Sequence, residues 1–208
     1  MAFYVEYIGP PGSGKSYHAR QVSCASMKIL RIIECPYVLG RLHQKLIKLL
    51  LLPKYFLHLQ YNGVFRCYVA SSQNWKFRHK LNLFYLTKSI KYNRENKIIA
   101  DQGYFQLFYS VYFGLSDDDI TKEFYKYKNF VFQYSGIKSI ECRFIDVDIN
   151  QNVYQLQNRP SKKTNLSKVM KNDFELKIKL NKSIHFFHQL LVLLEAEPRI
   201  HLKKVHVQ

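Results

Sequence analysis

Acidic residues are scarce in this chain. Of its 208 residues, 15 are Asp or Glu against 32 Lys or Arg, so the net charge is +17 and the pI is near 9.7. That balance excludes a preference for cationic partners and favours polyanions: nucleic acid, phosphorylated metabolites or an anionic membrane surface. Glycine is sparse as well, at 8 residues, and with 47% hydrophobic and 23% charged residues the chain is neither collagen-like nor disordered. Only four cysteines occur (Cys24, Cys35, Cys67 and Cys142), and none forms a CxxC pair. This spacing argues against a zinc site and for reduced thiols. Long apolar runs are missing too. The greasiest stretches, residues 49–52 and 190–194, fall far short of the roughly 18 residues that span a bilayer. Residues 1–8 lack the basic start, apolar stretch and small-residue cleavage site of a signal peptide. A cytoplasmic protein is expected, with peripheral membrane contact through basic residues left open. The length suits one core, and no repeat, low-complexity tract or linker divides it, so residues 1–208 are read as one domain.

Among what is present, one motif dominates. Residues 9–16 read Gly-Pro-Pro-Gly-Ser-Gly-Lys-Ser and fit G-x-x-x-x-G-K-[ST] at every fixed position. The β-prone run at residues 3–8 precedes it, and a helix-compatible segment begins at Ser16. Gly12 and Gly14 permit backbone angles that turn successive N–H groups toward one point, where the positive end of the following helix adds its field. Pro11, Gly12, Ser13, Gly14, Lys15, Ser16 and Tyr17 are the expected ATP-binding residues. Lys15 would reach the β- and γ-phosphates, and the Ser16 hydroxyl would take a position on Mg²⁺.

On these residues the chain resembles the P-loop NTPases. With its loop near residue 10 it is similar to the nucleotide-kinase-like small-molecule kinases. Three patches carry the resemblance: residues 3–25, 96–104 and 141–172. It implies an acid at the end of a strand neighbouring the loop. Residues 97–103, Lys-Ile-Ile-Ala-Asp-Gln-Gly, supply one in Asp101, which would hold Mg²⁺ through water or accept the acceptor's proton. Glu34, at the end of the β-prone run 29–34, is the rival base. Shikimate-, gluconate- and zeta-toxin-like kinases place an acceptor-side acid at that position.

The resemblance also implies a lid. Residues 140–148 read as a buried strand ending in acids, residues 150–158 as a helix, and residues 159–172 as the lid itself. Residues 149–172 contain no acid and carry Arg159, Lys162, Lys163, Lys168 and Lys171. Arg159, at the helix exit, is the expected cis arginine finger, because a forked guanidinium matches phosphate oxygens better than a point charge does. Lys162 and Lys163 are the next candidates, on the ATP side.

A second acid-free stretch is longer. Residues 35–94 hold 11 Lys or Arg and no Asp or Glu. In nucleotide kinases this region forms the acceptor-binding arm, here taken as residues 35–95. A helix is expected over residues 38–52, ended by Pro53, and another over 74–90 with Trp75, Phe77, Leu81, Phe84, Tyr85 and Leu86 on one side. Aromatics interleave with the cations. They either stack on bases or sugars or pack a core under a basic face. Ser116 followed by three Asp residues signals a helix start. A long helix is expected over 174–194 and a last strand over 200–207.

The fold expected is α/β: a three-layer sandwich with a mainly parallel sheet of about five strands and helices on both faces. The function expected is an ATP- and Mg²⁺-dependent kinase acting on a small, anionic acceptor such as a nucleotide, nucleoside or sugar. Two readings compete. One is a polynucleotide 5′-hydroxyl kinase or other nucleic-acid-acting P-loop enzyme, which would use the +17 charge directly. The other is a regulatory NTPase acting through a protein partner. A GTPase is disfavoured, since no Asn/Thr-Lys-x-Asp motif occurs. The sequence leaves the oligomeric state open.

Overall fold

The computed structural model describes residues 4–22, 28–30, 50, 52–72, 74–92, 98–100, 102–157 and 173–206. Five strands form one sheet: β1 (Tyr4–Ile8), β2 (Lys28–Leu30), β3 (Ile98–Ala100), β4 (Ile140–Asp146) and β5 (Ile200–His206). Their order is β2-β3-β1-β4-β5, and every pairing is parallel. Parallel neighbours require long crossovers, and helices supply them. β1 is central, with all five residues buried. This explains its near-continuous apolar character in place of an alternating pattern.

The two faces of the sheet are covered unequally. On one face α1 (Lys15–Val22) lays Ala19 against Val5, Tyr7, Ile99, Ile145 and Val147. Farther along that face the cover becomes polar. Glu141 accepts from Arg143 at 2.6 Å and from Lys203 at 3.2 Å, and Arg143 donates to the Tyr7 hydroxyl at 2.8 Å. On the other face Tyr4, Ile8, Ile98, Ala100, Ile140, Cys142 and Phe144 merge into the main core. There α8 (Asp173–Glu195) seats Phe187 on Phe144.

The rest of that core is an aromatic bundle. It is built from α2 (Leu52–Tyr61), α3 (Gly63–Ser71), α4 (Phe77–Tyr92), α5 (Tyr104–Tyr112) and α6 (Asp117–Ser135). Phe65, fully buried, contacts the rings of Tyr55, His58, Phe84, Phe130 and Tyr134. Tyr68 stacks on Phe130 at 4.1 Å between centroids. The Trp75 indole donates to the Tyr112 hydroxyl at 2.8 Å, which in turn donates to Glu123 at 3.0 Å. Tyr55, Phe65, Tyr68, Trp75 and Phe84 are therefore core residues, not stacking platforms. Of the arm's interleaved aromatics, Phe56, Tyr61 and Phe77 stand exposed.

Helix ends follow local chemistry. Ser116 caps α6 by accepting the Asp119 N–H, three Asp residues fill the first turn, and Gly136 closes the helix in the left-handed region at φ 72°. Asn62 caps α3 by accepting the Phe65 N–H at 2.9 Å. Two expectations shift. Pro53 stands in the first turn of α2, where a missing N–H costs nothing, so it opens a helix here; residues 38–49 of the helix it was expected to end lie outside the described residues. The helix expected from Asn74 begins at Phe77, and Trp75 anchors the turn before it through its bond to Tyr112.

Candidate active site

The phosphate loop leaves the carboxyl end of β1, flanked by β3 and β4. In a parallel sheet that edge is where ligands bind. Gly12 and Gly14 hold φ of +90° and +82°, angles that residues with a side chain rarely adopt. Gly12 is also tightly packed: a Cβ there would meet the Leu156 Cγ at 2.9 Å and the Asn152 Oδ1 at 3.2 Å. The Ser13 N–H donates to the Pro10 carbonyl at 3.2 Å, and the N–H groups of Tyr17 and His18 both donate to the Gly14 carbonyl, which starts α1. The first turn of α1 carries no acid, so none of its own side chains offsets its positive end. The Lys15 ammonium curls back over the loop, donating to the Gly9 and Pro10 carbonyls at 2.8 Å each and to the Ser13 hydroxyl at 3.4 Å. Pro11, Gly12, Ser13, Gly14, Lys15, Ser16 and Tyr17 are thus gathered in one loop and helix start, with Tyr17 exposed.

The other expected site residues, Glu34, Asp101, Arg159, Lys162 and Lys163, lie outside the described residues. Their described neighbours are informative. Ala100, the last residue of β3, pairs with Glu6 in the sheet, so β3 ends beside the strand that carries the loop. Asp148, read from sequence as a strand-ending acid, caps α7 (Ile149–Gln157) by accepting the Asn150 N–H at 2.7 Å.

Two residues near the loop were not singled out in the sequence. Asn152, on α7, is fully buried against Gly12, and both polar atoms of its amide lack a hydrogen-bond partner among the described residues. Glu6, in the middle of β1, is fully buried, and its Oε1 accepts the Gln106 N–H at 2.8 Å. Burial pushes its carboxyl up to about 8, against the lowering effect of the Gln106, Phe105 and Tyr104 N–H groups. The available signal was an acid in the centre of an apolar, fully buried strand.

In the arm, the cations contact rings and carbonyls. Lys88 lies over the Phe84 ring at 5.7 Å, Lys91 over Tyr134 at 4.5 Å, and Lys80 donates to the Val69 carbonyl at 3.0 Å. His58 bonds the Tyr134 hydroxyl. Burial, with Lys88 and Lys91 adding to it, pushes this imidazole down to about 4, so the ring is neutral at physiological pH. Lys54, Arg66, Lys76 and Arg78 stand exposed on the same arm.

The fold is similar to that of a solved nucleoside kinase. A deoxyadenosine kinase from M. mycoides with bound dATP is similar over 97% of this chain and 91% of its own, at 15% identity and a TM-score of 0.50. A thymidylate kinase from Candida albicans is similar over 100% of this chain and 85% of its own, at 17% identity and a TM-score of 0.47. No protein-family model matches the sequence, and no curated protein does. No helix among the described residues is long and apolar enough to cross a membrane.

Proposed function

We propose that this chain is an ATP- and Mg²⁺-dependent phosphotransferase of the cytoplasm. It moves the γ-phosphoryl group to a hydroxyl or phosphate of a small anionic acceptor: a nucleotide, a nucleoside or a sugar. The observation that carries this reading is the loop itself. Two glycines at positive φ feed an acid-free helix start, with the Lys15 charge curled over the turn. That chemistry suits a polyphosphate and little else.

Mg·ATP, when bound, supplies the phosphoryl group and a metal charge on its oxygens. The loop N–H groups and Lys15 would hold the phosphates, and the Ser16 hydroxyl and Asp101 would hold the metal. Asp101 or Glu34 would take the acceptor's proton. Arg159, Lys162 and Lys163 would bring the lid's charge onto the transferred group and help exclude water, since hydrolysis competes with transfer. The 11 cations of residues 35–94, a stretch with no Asp or Glu, support an anionic acceptor. The similar deoxyadenosine kinase is by name a kinase of a nucleoside, which favours a small acceptor over a polynucleotide.

The test is transfer of label from γ-labelled ATP to a panel of nucleosides, nucleotides, anionic sugars and 5′-hydroxyl oligonucleotides. Labelling of one small-molecule class is expected. Labelling of the oligonucleotides alone would move the assignment to a polynucleotide kinase. ATP consumption without any labelled acceptor would move it to a regulatory NTPase.

A further inference from the structure

The segment after β3 is held in an unusual way. α5 begins at Tyr104, and its cap residue, Gly103, has no side chain with which to cap it. Glu6 performs that task from another strand: its Oε1 accepts the Gln106 N–H at 2.8 Å, across 100 residues of sequence. The fit is close. A Cβ at Gly103 would lie 2.4 Å from the Glu6 carboxyl carbon and 2.2 Å from the Tyr4 hydroxyl. The same residue grips the segment at a second point, since Glu6 is the sheet partner of Ala100. The end of β3 and the start of α5 are therefore both anchored on Glu6, one on its backbone and one on its side chain. Three residues further along β1 the phosphate loop begins.

The carboxyl also occupies the N–H donors that a helix start would otherwise offer to a phosphate. The start of α5 is thus spoken for from inside the protein, and the phosphate-binding role is left to α1. The surroundings keep Glu6 in place. The Tyr4 hydroxyl is 3.4 Å from its Oε2. Behind it, the Tyr104 hydroxyl bonds Thr87, and the Tyr127 hydroxyl donates to the Tyr104 carbonyl, all in buried positions.

We infer that Glu6 is a positioning residue for phosphoryl transfer: from the loop's own strand it fixes the end of β3 and the start of α5, the two points between which the sequence places Asp101. The inference rests on the kinase reading and on the metal role given there to Asp101. It predicts that loss of the clamp damages what Asp101 does while sparing what the loop does.

The test is equilibrium binding of a fluorescent ATP analogue to the full chain, with and without Mg²⁺. Glu6→Ala removes the acceptor. Glu6→Gln keeps an oxygen for the Gln106 N–H. Gly103→Ala pushes the carboxyl away from the other side and serves if Glu6→Ala does not fold. In Glu6→Ala or Gly103→Ala, the gain in affinity that Mg²⁺ confers should fall by about 10-fold or more, the size typical of lost support around a metal site. Metal-free affinity should change less than about twofold, and Glu6→Gln should restore most of the gain. Combining Glu6→Ala with Asp101→Asn should cost no more than Asp101→Asn alone, because both act through one group. An unchanged Mg²⁺ gain in Glu6→Ala and Gly103→Ala would overturn the inference. So would an equal loss with and without metal, or effects that add to those of Asp101→Asn. If the wild-type chain bound no ATP at all, the kinase reading itself would fall, and the inference with it.

Discussion

The phosphate loop and the basic arm are both built around positive charge, but they achieve it by opposite means. In the loop the charge is mostly backbone. Gly12 and Gly14 at positive φ aim N–H groups and a helix start, and one ammonium, Lys15, is added. In the arm the charge is entirely side chain, and it rides on a scaffold of rings: Phe65, Tyr68, Trp75 and Phe84 are buried while Lys54, Arg66, Lys76 and Arg78 point outward. The lesson is a division of labour. The loop's chemistry depends on conformation, so single-atom crowding should ruin it. The arm's chemistry depends on the integrity of an aromatic core, so its weak points are packing residues remote from any ligand.

The sharpest way to break this comparison is to hollow the arm. Phe65→Ala removes a ring in contact with five others and should cost about 3–5 kcal/mol of stability, measured by denaturant unfolding. Whatever remains folded should still bind ATP through the loop with little change. A loss below about 1 kcal/mol would mean that the rings do not carry the arm.

Next in size is the pH response of Glu6. Its folded-state value, raised to about 8, means that the folded protein holds this proton more tightly than the unfolded chain does. The stability linked to it is fully present below the ordinary glutamate range and is lost as pH rises through about 8. Between pH 5 and pH 8.5, the stability of the wild-type protein relative to Glu6→Gln should fall by on the order of a few kcal/mol. A flat difference across that range would show that the carboxyl is already ionised when folded.

The smallest expected effect on folding falls in the loop. Gly12→Ala forces a side chain into a φ of +90° and against Leu156 and Asn152, at a cost of about 1–2 kcal/mol. Its effect on ATP affinity should nevertheless be much larger than that of Phe65→Ala, by at least about 10-fold, because the N–H groups lose their aim. The reverse order would undo the distinction between loop and arm.

The two regions also differed in how far the sequence disclosed them. The loop was legible because its residue types are dictated at fixed spacing, and the order of strand, loop and helix around it could be checked directly. The parallel sheet, the capped start of α6 and the long final helix were legible from local runs and caps. The arm was legible as a charge pattern but only partly as a structure. A ring on a helix face says that something covers it, not which helix does so. Whether Trp75 and Tyr68 met a ligand or each other was therefore a matter of tertiary packing. Pro53 marked a boundary; that it also stands in the first turn of a new helix was not read, because proline is tolerated at a helix start as well as just past a helix end. Glu6 was missed because its role joins a strand to a helix 100 residues away, and no local pattern encodes that contact.

The central claim is that the Gly9–Ser16 loop carries ATP for phosphoryl transfer. The most direct test is a single-turnover transfer of γ-label, run side by side on the wild-type chain and Lys15→Ala with the acceptor found by the panel. The account predicts rapid labelling by the wild type. It predicts a loss of at least about 100-fold in Lys15→Ala, in line with removal of one preorganised charge at a transition state, with unchanged thermal unfolding. Equal labelling by the two proteins would contradict it.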